Sequence, residues 1–274
     1  MKKLSIITIC YNEPNLEETC KSIINQSWQE FEWIVIDGGS NKETLDIFNK
    51  YKHRIDKFIS EPDNGRYNAM NKGINLADGE YINFLNAGDY YFYDNVLKDI
   101  FVNNTYKSDV LYGNECFVNE NDILKSQIQP MPKKLTKDFL FYSSLRHQAA
   151  FIKKILFDKF GLYDENKKVV SDYEKWFIFL KNGVSFECLP YTITYFNTDG
   201  ISSNKKTRKI ARKERNDVIN AHFKTSEIDD LINKNKHQDS FLERIFSVKN
   251  NVTCSHKIIT ILGCKIKIKR NYCW

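Results

Sequence analysis

The chain has 274 residues, 42% of them hydrophobic and 14% aromatic, enough for one large core plus an appendage. Eleven Gly and five Pro exclude a collagen-like or low-complexity chain. The net charge of +6 hides a gradient: residues 1–100 carry 11 Lys+Arg against 16 Asp+Glu, residues 101–200 carry 13 against 12, and residues 201–274 carry 17 against 7. An acidic body with a basic tail is not the profile of a nucleic-acid-binding domain.

The apolar start, residues 4–10, is cut short by Tyr11-Asn12-Glu13-Pro14 and reads as a first strand, not a signal peptide. No apolar run approaches the roughly 18 residues of a membrane-spanning helix. The seven cysteines are scattered without a Cys-x-x-Cys pair and read as reduced thiols, so a cytoplasmic protein is expected. Leu16, Cys20, Ile23 and Ile24 recur at helical spacing after Pro14. Residues 31–37 form a second strand with the continuous apolar centre of one buried on both faces. A helix over 42–51, a strand over 56–60, a helix over 67–76 and a strand over 80–86 follow.

This β-α-β-α-β-α-β order predicts a doubly wound, mostly parallel α/β sheet with helices on both faces. Farther on, the pattern predicts strands at 110–113 and 116–118, short helices at 136–142 and 153–160, and a strong helix at 171–182. Strands at 185–189 and 192–196, a basic helix at 208–223 and a terminal hairpin (258–262, Gly263, 264–268) complete the reading.

Ligands of such sheets bind beyond the carboxyl ends of the strands. Those ends carry Tyr11-Asn12-Glu13, Asp37-Gly38-Gly39, Glu61-Pro62-Asp63-Asn64-Gly65-Arg66 and Asn86-Ala87-Gly88-Asp89. No G-x-G-x-x-G, P-loop or G-x-S-x-G motif is present, and the five histidines lack zinc-ligand spacing. An acidic crevice without a glycine loop holds a pyrophosphate only through a bridging cation.

These four motifs, in this order, resemble the family 2 glycosyltransferases of bacterial surface-polysaccharide assembly, which have the GT-A fold. His147-Gln148-Ala149 and Ser171-Asp172-Tyr173-Glu174 are similar to further family segments. The resemblance implies that Thr8, Tyr11, Glu13, Asp37, Asp63 and Arg66 bind the nucleotide. It implies that Asp89 holds Mn²⁺ or Mg²⁺ on the donor diphosphate, although Asn86-Ala87-Gly88-Asp89 has one carboxylate where the family motif has two. It makes Asp172 the general base of an inverting transfer, with Glu174 as an alternative base and His147 on the acceptor or metal side. Read without the family, Asp37 and Asp63 also suit turns beside glycine, and Ser171-Asp172 suits a helix N-terminus.

Residues 1–100 are then the nucleotide-sugar-binding half and residues 101–200 the acceptor-binding and catalytic-base half of one domain. Residues 201–274 are a basic helical extension with a terminal β-hairpin. The absence of a Gln-x-x-Arg-Trp motif and of membrane spans favours transfer of one sugar, from a UDP-linked donor to a hydroxyl of a surface glycan or lipid-linked saccharide. The basic tail reads either as a solvated helix face with a packed hairpin or as a contact with the anionic inner membrane face. The rival of another class is a non-catalytic glycan- or lipid-binding protein that retains the fold.

Overall fold

The computed structural model describes residues 2–118, 127–197, 205–233, 246–250, 256–261 and 264–269. The chain divides into two compact units, Met1–Ile219 and Asn220–Trp274.

The first unit is built on β1 (Leu4–Cys10), α1 (Leu16–Ile24), β2 (Glu32–Asp37), α2 (Lys42–Tyr51), β3 (Lys57–Ser60), α3 (Arg66–Leu76) and β4 (Tyr81–Phe84). Strands β3, β2, β1 and β4 lie side by side in parallel. Cys10 is level with Asp37, and Asp37 with Ser60, so the segments that follow these strands emerge along one edge. Alternation along β1 feeds two cores. Leu4 and Ile6 join Leu16, Cys20, Phe48 and Ile100 on one face. Ile7 meets α3 on the other, so tightly that a side chain at Gly73 would collide with it. Every residue of β2 is buried, including Glu32, whose carboxylate accepts from Ser5 Oγ and pairs with Lys57 Nζ at 2.7 Å. A buried charge without such partners would be strongly destabilising.

The sheet continues through β8 (Ala150–Lys153), β6 (Val110–Val118), β9 (Phe186–Asn197) and β5 (Tyr90–Tyr91), with β7 (Gln127–Gln129) beside β6. Pairings β4–β8, β8–β6, β6–β7 and β9–β5 are antiparallel, whereas β6–β9 is parallel. Helices α4 (Val96–Phe101), α5 (Lys137–Tyr142), α6 (Ile155–Phe160) and α7 (Ser171–Lys181) flank it. Helix α8 (Lys205–His222) follows.

Two paired expectations merge here. The strands expected at 110–113 and 116–118 are the single β6, and those at 185–189 and 192–196 are the single β9. Pro190 lacks the ladder N–H and sits in an irregularity, where the register jumps from Tyr112–Cys188 to Asn114–Thr192. Gly113 opposes that bulge, and a Cβ there would lie 2.6 Å from the Tyr191 carbonyl oxygen. The helix expected at 153–160 starts only at Ile155, because residues 150–153 pair as β8.

The second unit holds a three-stranded antiparallel sheet, β10 (Phe246–Asn250), β11 (His256–Ile261) and β12 (Cys264–Lys269), and a helical stretch at 225–233. The β11–β12 pair is the expected hairpin, while its turn residues Leu262 and Gly263 lie outside the described residues. Strand β10 was not anticipated from its composition.

Candidate functional site

The ends of β1, β3 and β4 open into a cavity of about 770 Å³, a size typical of small-molecule sites. Tyr11, Glu13, Asp63, Arg66 and Asp89 line it. Each is set by its loop. Asn12 takes the left-handed conformation (φ 49°), which asparagine tolerates, and its side chain accepts from the Asn41 N–H. Asp63 Oδ1 accepts from the Gly65 N–H at 2.7 Å, turning the chain into α3. Gly88 has φ 95° and lies so close to Glu13 that a Cβ would meet its carboxyl carbon at 3.3 Å. Only glycine meets both demands.

His147, Asp172 and Tyr67 line the same cavity, with Arg146, Lys168, Arg212 and Arg215. Asp172 stands in the first turn of α7, its side chain only 17% exposed. Tyr67 Oη donates to Asp172 Oδ1 at 2.7 Å, and His147 Nδ1 lies 3.1 Å from Oδ2. The other ring nitrogen, Nε2, lies 2.9 Å from Asn86 Nδ2. A neutral imidazole with its proton on Nδ1 satisfies both contacts, giving a relay Asn86–His147–Asp172. Burial works to raise the Asp172 pKa, but the hydrogen bonds from His147, the Tyr67 hydroxyl and the Tyr173 N–H outweigh it and hold the carboxyl below its ordinary range. Burial, then the Asp172 charge, push the Tyr67 hydroxyl well above its ordinary value, so it stays a donor.

Of the residues expected from the sequence, Tyr11, Glu13, Asp63, Arg66, Asp89, His147 and Asp172 share this cavity. Three do not. Thr8 is fully buried and its Oγ1 accepts from Trp33 Nε1, so it supports β2 and does not face the cavity. Asp37 is fully buried, with Oδ2 accepting from Gly39 N, Ser40 N and Ser60 Oγ; it builds the turn after β2, the reading its neighbouring glycines also allowed. Glu174 is paired with Lys167 at 3.0 Å and does not line the cavity. Tyr67, Gln148 and the α8 arginines were missed. Tyr67 follows Arg66 within a motif already singled out, whereas a run of lysine and arginine carries no sign of which face meets a cavity.

Glu115 is fully buried and neither of its oxygens has a hydrogen-bond partner. Burial pushes its pKa up to about 8, with Arg146 at 3.7 Å pulling it down and Asp89 adding to the rise. Asp89 itself is nearly buried, and its Oδ2 accepts from Gln148 Nε2 at 2.9 Å.

Among the described residues no three His, Cys, Asp or Glu side chains converge to hold a metal ion. Asp89 nevertheless puts one carboxylate in the cavity wall, and Asn86 Oδ1 in the same turn is buried without a hydrogen-bond partner. This donor set fits a divalent ion shared with phosphate oxygens, not one enclosed by protein alone.

The family model described as Glycosyl transferase family 2 matches residues 5–158. An uncharacterised glycosyltransferase of Methanocaldococcus jannaschii is 27% identical over 220 residues, 76% of each chain. Among solved structures, S. aureus TarS (residues 1–349) superposes with a TM-score of 0.59 at 22% identity, covering 84% of this chain and 69% of that one. The mannosyltransferase PcManGT of Pyrobaculum calidifontis superposes with a TM-score of 0.54 at 16% identity, covering 71% and 56%. At these identities the structural matches establish a shared fold, the GT-A-like α/β sheet.

Proposed function

The chain belongs to glycosyl transferase family 2, and from that premise we propose that it is an inverting, metal-assisted enzyme that moves one sugar from a nucleotide donor. A single observation carries the reading: Asp172, buried and held by Tyr67 and His147, faces the same cavity as the strand-end carboxylate of Asp89.

The donor nucleotide lies along Tyr11, Glu13, Asp63 and Arg66. A UDP-linked donor is supported by TarS, which was solved with UDP and with UDP-GlcNAc. A divalent ion is supported by PcManGT, solved with GDP-Man and Mn²⁺. Asp89 and Asn86 Oδ1 would hold that ion together with the diphosphate, and when bound it supplies charge neutralisation for the leaving group. Asp172 takes the proton of the acceptor hydroxyl as that oxygen bonds to the anomeric carbon from the side opposite the diphosphate. The C–O bond to the diphosphate breaks and the configuration inverts, as in inverting glycosidases with the acceptor in place of water. His147 fixes the plane of Asp172 and stabilises the charge distribution as the proton arrives.

The acceptor is a hydroxyl of a bacterial surface glycan or lipid-linked saccharide, reached at the inner membrane face. In keeping with a peripheral role, no helix among the described residues is long and apolar enough to cross a membrane. Residues 1–100 supply the donor wall, residues 101–200 the base, and the basic extension the membrane contact.

Calorimetry with UDP and Mn²⁺ tests the donor site. Wild type is expected to bind UDP in a metal-dependent way and Asp89→Ala to lose most of that binding; equal binding by both proteins with and without Mn²⁺ overturns the metal-assisted reading.

A further inference from the structure

The carboxylate of Glu214 lies outside the cavity, yet it is wired to the candidate base. Its Oε1 accepts from the Lys168 N–H at 2.7 Å, and its Oε2 accepts from the Val169 and Val170 N–H groups at 2.9 and 3.3 Å. These three amides belong to the stretch that leads into α7, whose N-cap, Val170, has no side-chain capping bond. One carboxylate therefore gathers three successive amides just before the helix, and its negative charge suits the positive end of that helix. Asp172 stands two residues beyond the last of these amides.

The next residue of α8 grips the other side. Arg215 Nη2 donates to the carbonyls of Leu140, Phe141 and Ser143 at 3.0–3.1 Å, and its guanidinium lies 4.2 Å from the centre of the Tyr173 ring. Glu214 and Arg215 thus fix the first turn of α7 from two directions, while Tyr67 and His147 fix the Asp172 carboxylate from a third. A shift of about 1 Å in such a group is enough to lower a rate a hundredfold.

We propose that Glu214, on the basic helix α8, is a positioning residue that sets Asp172 for proton transfer by anchoring the 168–170 backbone. The proposal rests on the reading of Asp172 as the base. It gives α8 a part in turnover that its charge alone does not suggest, and it assigns that part to its single acid within the basic run 205–215.

The test uses the full chain, with UDP release from UDP-GlcNAc as the turnover assay and UDP calorimetry as the binding assay. Glu214→Gln keeps the side-chain shape but turns an amide N–H₂ toward the backbone donors. It is expected to lower kcat at least tenfold with KM and UDP affinity within twofold of wild type, and Glu214→Asp to recover part of the rate. Added to Asp172→Asn, it should cause no further loss, since both act on one step. Hydrogen exchange in Glu214→Gln should rise in the peptide spanning 168–174 and stay unchanged in β1 and α3, a readout that needs no turnover. A kcat within twofold of wild type, multiplying losses in the double variant, or unchanged exchange at 168–174 overturns the proposal. Wild-type turnover by Asp172→Asn overturns the base reading instead; a slow Asp172→Asn beside an unimpaired Glu214→Gln sinks the positioning role alone.

Discussion

The two sets of cavity residues, the proposed donor wall and the proposed base wall, are made in opposite ways. The donor wall is local: Tyr11 and Glu13 follow β1, Asp63 and Arg66 follow β3, and Asp89 follows β4, each beside the strand that places it. The base wall is assembled from afar: Asp172 depends on Tyr67, 105 residues away, on His147, 25 away, and on a backbone anchored to Glu214, 45 away from Val169. A wall made of strand ends tolerates change in the rest of the fold, whereas a wall made of distant contacts responds to changes outside the cavity. Damage to the first should appear in nucleotide binding, and damage to the second in turnover.

The largest expected effect lies on the base wall. Asp172→Asn should cut kcat about a thousandfold, or about 4 kcal/mol, with UDP affinity unchanged by calorimetry; a near-normal rate would erase the division of labour. On the donor wall, Asp89→Ala should weaken UDP binding in Mn²⁺ about a hundredfold, about 2.7 kcal/mol.

The third prediction concerns Glu115, which feels the charges of Arg146 and Asp89. The unfolded chain ionises Glu115 above its ordinary value of 4.5, whereas the folded chain keeps the proton up to about 8. Wild type should therefore lose stability as pH rises through that window and level off above it. Relaxation reduces the ceiling set by that shift, about 5 kcal/mol, to about 2 kcal/mol. Glu115→Gln should flatten the profile in denaturant titrations at pH 5 and pH 8; an equally steep profile would show that Arg146 keeps Glu115 ionised. Asp172 has the opposite sign: its lowered folded pKa stabilises the protein above the ordinary value of 3.8, a contribution lost as pH falls through the folded value.

The smallest effect is expected from Tyr67→Phe, which removes one hydrogen bond to Asp172: a fall in kcat of about tenfold, about 1.4 kcal/mol, with unchanged UDP binding. A change in binding instead would move Tyr67 to the donor wall.

The same contrast governs how much was legible in the residues. The parallel half of the sheet was readable because β1 and β2 are continuous apolar runs, each followed by its own helix. Strands β5, β7 and β8 were not, since two to four residues carry no period and acquire their identity from partners far along the chain. Asp63, Asp89 and Asp172 were recognisable within motifs, but the true tasks of Thr8 and Asp37 were hidden, because a strand-end side chain can turn toward the ligand or back into the fold. The arginines of α8 carry no sign of the cavity in the sequence, because composition gives charge and no direction.

The irregularity at Gly113 and Pro190 has a consequence for side-chain direction. Before it, Tyr112 pairs with Cys188, an offset of 76; after it, Glu115 pairs with Thr194 and Val118 with Asn197, an offset of 79. An odd change in offset reverses which face each later residue of β9 presents. It sends Tyr195 onto Phe92, with ring centres 4.6 Å apart, and Phe196 into the cavity wall. The bulge works as a parity switch, so this strand can absorb insertions or deletions of two residues at residues 189–191 while one residue would turn its far end inside out.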